Sequence, residues 1–270
     1  MDFPLKIESL STGYTSGGKA HPISNHISAH LPHASLTALV GVNGAGKSTL
    51  LRTLSGLQPA LSGEIFIEGK NLSDYTSQEL AQTLSVVLTQ RVEVEYLSAR
   101  EVVEMGRMPY TSLTGRLSAE DKGKVESAMR LTNTLRFANK SLDQLSDGER
   151  GRVMIAKALA QDARIMLLDE PTAFLDFPSK VEMLRLLTTL AHEQGLSILL
   201  SIHDLELALQ FADHLWLMSE EGITQGTPQT LAQSGELSHH FSVPGITLDP
   251  DTLRFSILPS SLGLTPLPVH

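Results

Sequence analysis

The stretch GVNGAGKST, Gly41 to Thr49, constrains this chain more than any other. It matches G-x-x-x-x-G-K-[ST], follows the β-like run SLTALV, and precedes a segment with Leu50, Leu51 and Leu54 on one helical face. A strand, a glycine loop and a helix N-terminus, in that order, aim backbone N–H groups and the positive end of a helix dipole at one point. Phosphate is the ligand such a point holds. Gly41, Gly44 and Gly46 let the loop turn around Asn43 and Ala45, Lys47 reaches toward β- and γ-phosphates, and Ser48, beside Thr49, offers Mg²⁺ a hydroxyl. A nucleoside triphosphate site with Mg²⁺ is the expectation.

Around this loop the pattern changes along the chain. Short β-like runs from Leu5 to about Ile67 alternate with Gly, Ser, Asn and Pro, which predicts an N-terminal antiparallel β subdomain. From Ser98 to about Asn139 the character is helical, with Ser98 and Glu101, then Ser118 and Asp121, in capping-box relation. Beyond it a helix, the strand RIMLLD, a helix, the strand SILLSI and the helix DLELALQFAD alternate as in a mainly parallel sheet covered by helices. This predicts a nucleotide-binding domain over 1–230 with a helical subdomain at about 91–160, and a C-terminal extension over 231–270.

Two further strand ends carry polar groups. IMLLDEP delivers Asp169 and Glu170 to the C-terminal edge of the sheet, Asp169 to hold Mg²⁺ and Glu170 to orient or deprotonate an attacking water. SIHD closes another apolar strand, and its His203 can donate to a γ-phosphate. Gln90, ending SVVLTQ, can ligate Mg²⁺ or touch the water. The remaining histidines, among them His239 and His240, lack a metal-like context. With a net charge of -9 and no cysteine, the chain has neither the basic surface of a general nucleic-acid binder nor thiolate chemistry. MDFPLKIESL does not read as a signal peptide, and no run of about 18 apolar residues spans a bilayer, so a cytoplasmic location is expected.

Phosphate loop, terminal glutamine, LSDGE, strand-end Asp-Glu, LD and strand-end histidine, in that order over roughly residues 5–230, resemble the ATP-binding subunits of ABC transporters. The resemblance implies a P-loop NTPase core of ABC type, ATP as the nucleotide, and ATP hydrolysis coupled to transport. It places Tyr14 against adenine, Gly41 to Thr49 as Walker A, and Gln90 in the Q-loop. Leu145 to Glu149 align with the signature LSGGQ, Asp169 and Glu170 with Walker B and its catalytic glutamate, Asp176 with the D-loop, and His203 with the switch histidine. It also implies a head-to-tail homodimer in which Ser146 and Gly148 of one subunit close on ATP held by the other, at the cytoplasmic face of the membrane beneath integral-membrane permease subunits. A substrate-binding protein would act indirectly, and no nucleic acid is involved.

The signature departs from the family pattern at Asp147 and Glu149, two carboxylates that Arg150 and Arg152 can offset, and at Gly151, which can loosen the helix. GRMPYTSLTGRLSAED, Gly106 to Asp121, resembles the helical subdomain of importers for iron–siderophore, haem and cobalamin. The alternatives are a soluble ATPase of the same superfamily and an importer subunit for another substrate class.

Overall fold

Runs such as LTALVG and IMLL show no polar alternation, and strands of that kind persist only with both faces covered. The computed structural model, which describes residues 3–17, 19–88, 96–111, 115–219, 221–241 and 246–257, shows what covers them. In chain order come β1 (Leu5–Ser16), β2 (Lys19–Leu31), β3 (Leu36–Gly41), α1 (Lys47–Leu54), β4 (Ser62–Ile67), β5 (Lys70–Asn71), α2 (Ser77–Thr83) and β6 (Leu84–Val87). Then follow α3 (Ala99–Glu104), α4 (Ala119–Leu131), α5 (Asp147–Ala160), β7 (Ile165–Leu168), α6 (Phe177–Gln194), β8 (Ser197–Ser201) and α7 (Leu205–Phe211). The last elements are β9 (His214–Ser219), β10 (Gly222–Gly226), α8 (Pro228–Gln233), α9 (Glu236–His240), β11 (Ile246–Asp249) and β12 (Arg254–Ile257).

A six-stranded sheet in the order β10-β9-β3-β8-β7-β6 forms the centre, parallel except for β10. Its side chains divide with period two. Leu36, Ala38 and Val40, with Met166, Leu168, Ile198 and Leu200, face a layer built from α5 to α9. Leu39, Ile165, Leu167, Leu199 and Trp216 face the opposite way, onto α1 and a four-stranded antiparallel sheet, β2-β1-β4-β5. The expected N-terminal β subdomain is therefore a third layer. Because the central strands run parallel, the C-terminal ends of β3, β7 and β8 share one edge. Toward the C-terminus, α8 crosses position 230, and Leu231, Ala232 and Leu237 are buried in the same apolar cluster as β8.

The helical segment has a core of its own, made by Val102, Val103, Val125, Met129, Phe137 and Val153. Both predicted capping boxes are present, at Ser98 with Glu101 and at Ser118 with Asp121. The pieces GR-x-P and RLS-x-x-D, separate in the sequence, meet here. Gly106 lies so close to α5 that an added Cβ would stand 2.2 Å from the Lys157 carbonyl oxygen, so only glycine allows the approach. Next to it the buried Arg107 donates from Nε to Asp121 Oδ1 at 2.9 Å and from a terminal nitrogen to the Ala160 carbonyl at 2.8 Å. Its guanidinium also lies 4.0 Å over the Tyr110 ring. Asp121 Oδ2 accepts from the Ser118 backbone N–H and hydroxyl at 2.9 and 2.7 Å. Those Ser118 bonds first, and Arg107 second, hold the Asp121 carboxyl below the usual aspartate range.

Removing one member of a buried, fully bonded ion pair strands the other. Asp121→Ala should cost about 3 kcal/mol of unfolding free energy at pH 7 in denaturant titrations. Since folding lowers this carboxyl's pKa, its contribution is complete above the unfolded value and is lost as pH falls through the folded one, so the gap to the parent should narrow below about pH 4.

Candidate nucleotide site

The loop between β3 and α1 is shaped by its glycines. Gly46, the residue before α1, has φ 98°, and a Cβ there would lie 2.5 Å from Ile23 Cγ2, so no other residue fits. The antiparallel layer touches the loop at this point, where the Ser24 hydroxyl donates to the Ala45 carbonyl at 3.4 Å. Lys47 is 5% exposed, and its ammonium donates to the carbonyls of Gly41 and Val42 at 2.8 and 3.2 Å. Burial lowers its pKa, while the negative charges of Glu170 and Asp169 act in the opposite sense.

Those carboxylates stand at the end of β7, one strand away from β8. Asp169 is 4% exposed, and its Oδ1 accepts from the Ser48 hydroxyl at 2.9 Å and from the Ser201 hydroxyl at 2.8 Å. The chain then turns through Glu170, which has φ 50°, a left-handed conformation that costs a non-glycine residue energy. Its backbone N–H donates to Ser201 Oγ at 2.9 Å, and its Oε1 meets His203 Nε2 at 2.5 Å. Five predicted residues, Lys47, Ser48, Asp169, Glu170 and His203, are thus brought together. Ser201 was not foreseen as part of the site, although SIHD contains it. The donor set beside the phosphate loop, a hydroxyl and a carboxylate 2.9 Å apart, consists of hard oxygens and fits Mg²⁺, which takes few protein ligands and keeps several waters.

The other predicted residues sit on different elements. Tyr14, 56% exposed, pairs across β1 and β2 with His21, the ring centroids 5.9 Å apart. Asp176 caps α6 by accepting from the Ser179 N–H at 3.0 Å. Gln90 lies outside the described residues. Ser146 caps α5 in a capping box, its hydroxyl accepting from the Glu149 N–H while the Glu149 carboxylate takes the Ser146 N–H at 3.1 Å. The S-x-x-E spacing carried that signal. Glu149 is thus turned back onto its own helix, its carboxyl held low by the Ser146 N–H, with Lys140 and Arg136 contributing. Arg152 pairs with Glu182 of α6 at 2.8 Å. Gly151 faces Met183 of the same helix, whose methyl would stand 3.1 Å from an added Cβ. Among the described residues no three His, Asp or Glu side chains converge as metal ligands.

A parallel sheet with a Gly-rich phosphate loop at its C-terminal edge, a buried Asp followed by Glu, and a strand-end His define a P-loop nucleoside triphosphatase. The family model for ABC transporters matches residues 24–173, and the chain belongs to that family. It is 35% identical to the ferric enterobactin transport ATP-binding protein of Escherichia coli, over 97% of this chain and 95% of that one. To the hemin import ATP-binding protein of Rhodococcus jostii it is 37% identical, over 83% of this chain and 75% of that one. A dimeric bacterial ABC transporter cassette superposes with a TM-score of 0.72 at 25% identity, covering 83% of this chain and 98% of the other. The protein is an ATP-binding, ATP-hydrolysing transporter subunit; such subunits form dimers and work with membrane permeases.

Glutamine fills the third position of a capping box as well as glutamate does. Glu149→Gln should therefore leave thermal stability within about 0.5 kcal/mol of the parent, whereas Ser146→Ala should cost about 1 kcal/mol in the same melts.

Proposed function

We propose that this chain powers uptake of a metal chelate, an iron–siderophore, haem or cobalamin-type compound, through integral-membrane permease subunits. In this reading it works as a homodimer lying peripherally on the cytoplasmic face of the membrane, and a substrate-binding protein delivers the compound from the other side. The similarity to the ferric enterobactin subunit carries the reading, because it runs through 97% of the chain, helical subdomain included. No helix among the described residues is long and apolar enough to cross a membrane, in keeping with a subunit that reaches the bilayer through partners.

The chemistry follows from the site. Tyr14 offers an open aromatic face to adenine, and the N–H groups of Gly41 to Thr49 receive the phosphates. Lys47 exchanges the two carbonyls it now holds for phosphate oxygens, a stronger, charge-assisted set of acceptors. Ser48 and Asp169 would hold Mg²⁺, with Gln90 as a further ligand, and the bound ion would supply charge neutralisation on the phosphates. Glu170 orients the attacking water and takes its proton, and its carboxylate is steadied by His203 at 2.5 Å. Contact between His203 and a γ-phosphate requires the imidazole to share or leave that carboxylate. Ser146 and Gly148, at the N-terminus of α5, would close on the γ-phosphate of ATP bound to the other protomer, with Asp176 nearby.

Glu170→Gln should lower ATP turnover at least about 100-fold while equilibrium ATP binding is retained; undiminished turnover would overturn the assignment. For the cargo, the permease complex should be purified with its substrate-binding protein and the bound metal and visible absorbance recorded. Iron without a haem band, a haem band, or cobalt selects among the three compounds, and a complex that carries none of them overturns the metal-chelate reading.

A further inference from the structure

The end of β8 contributes more to this site than its histidine. The last registered pair between β7 and β8 is Leu168 with Leu200, so the next residue of each strand, Asp169 and Ser201, stand side by side at the sheet edge. Ser201 is fully buried. Since Ile198 and Leu200 face the helical layer, the alternation of β8 turns Leu199 and Ser201 the other way, toward α1 and the phosphate loop. A buried hydroxyl needs partners, and this one has two at the reacting edge. It donates to Asp169 Oδ1 at 2.8 Å and accepts from the Glu170 N–H at 2.9 Å.

We propose that Ser201 is a positioning residue for ATP hydrolysis, its one hydroxyl fixing both the metal-facing carboxylate of Asp169 and the strained turn that aims Glu170. The inference rests on the roles proposed above for Asp169 and Glu170. Asp169 Oδ1 takes hydroxyls from two sides, Ser48 and Ser201. If Ser48 turns to a metal ion, the Ser201 bond still holds that oxygen. At Glu170 the φ of 50° puts the backbone in a conformation that an L residue leaves unless something holds it, and the Glu170 N–H to Ser201 bond is a hold at that residue. His203, two residues further along the same strand end, then meets a carboxylate whose main chain is already fixed. Serine, and no apolar residue, can donate to one acidic residue and accept from the next.

The test compares Ser201→Ala, Ser201→Thr, Asp169→Asn and Glu170→Gln in the full-length protein. Mn²⁺ binding is measured by EPR in the presence of a non-hydrolysable ATP analogue, nucleotide binding is measured in EDTA, and kcat and KM for ATP are measured with Mg²⁺. Loss of a group that orients a metal ligand typically costs about 10- to 100-fold in metal affinity or activity. Ser201→Ala should weaken Mn²⁺ binding and lower kcat by about tenfold or more, with analogue affinity in EDTA and the KM for ATP unchanged. Ser201→Thr, which keeps the hydroxyl, should restore both. Parental Mn²⁺ affinity and kcat in Ser201→Ala, while Asp169→Asn and Glu170→Gln are impaired, would overturn the role of Ser201 and leave the site assignment standing. Parental behaviour in Asp169→Asn and Glu170→Gln would instead overturn the assignment beneath it. Should Ser201→Ala fail to fold, Ser201→Thr decides: parental Mn²⁺ affinity upholds the role of the hydroxyl, and weakened affinity in the folded variant overturns it.

Discussion

Burying a carboxylate at the end of an apolar strand costs several kcal/mol unless hydrogen bonds compensate it, and Asp169 is 4% exposed. Two hydroxyls on one oxygen contribute to that compensation, Ser48 at the start of α1 and Ser201 at the end of β8. Three elements far apart in sequence are thereby fixed around one atom. Lys47, the neighbour of Ser48, then sits in a field from Asp169 and Glu170 that offsets part of its desolvation. The phosphate loop, the acidic strand end and the switch strand therefore hold one another in place.

That joint lies in the central sheet, and the two other layers serve it differently. The antiparallel sheet props the loop from one side, with Ile23 and Ser24 against Gly46 and Ala45. The helical segment carries α5, whose N-terminus holds the LSDGE stretch, and it has an apolar core centred on Val103, Met129 and Phe137. α5 joins that core to the central sheet, because its Val153 and Ala156 lie in the helical core while Ile155 and Ala158 pack in the apolar cluster of the sheet. The bond between Arg107 and Asp121 stiffens the helical segment from within. The pieces of sequence that most resemble metal-chelate importers are, in part, an internal staple of this segment.

How much of this was legible in the sequence depended on the range of the interaction. Local signals were legible: the phosphate loop with both flanks, the capping boxes at Ser98 and Ser118, and the apolar strands that end in Asp169 and His203. The antiparallel β subdomain was also legible, from its turn residues. What escaped were pairings that only tertiary structure creates. Ser201 is one serine among many until β7 and β8 register side by side, and Arg107 and Asp121 are 14 residues apart, with no periodicity linking them. Gly151 read as a weak point in a helix because its neighbour Met183, on α6, was not visible from the helix alone.

The signature acids illustrate why charge counted from sequence misleads at a helix N-terminus. Two carboxylates within three residues suggest repulsion of an approaching triphosphate, yet a capping box needs an acceptor at its third position and directs it backward. Glu149 fills that place, turned back onto its own helix, and the Ser146 N–H, with Lys140 and Arg136, holds its carboxyl below the usual glutamate range. An N–H group engaged by a cap is one fewer pointing outward. The α5 terminus still has further N–H groups of its first turn, and its dipole is unchanged by the cap. Glycine at the position after Asp147, Gly148, leaves the backbone open on that side: among the described residues an added Cβ would meet only the Leu175 side chain, 3.7 Å away. Open backbone at a helix N-terminus is a surface that an anion can approach.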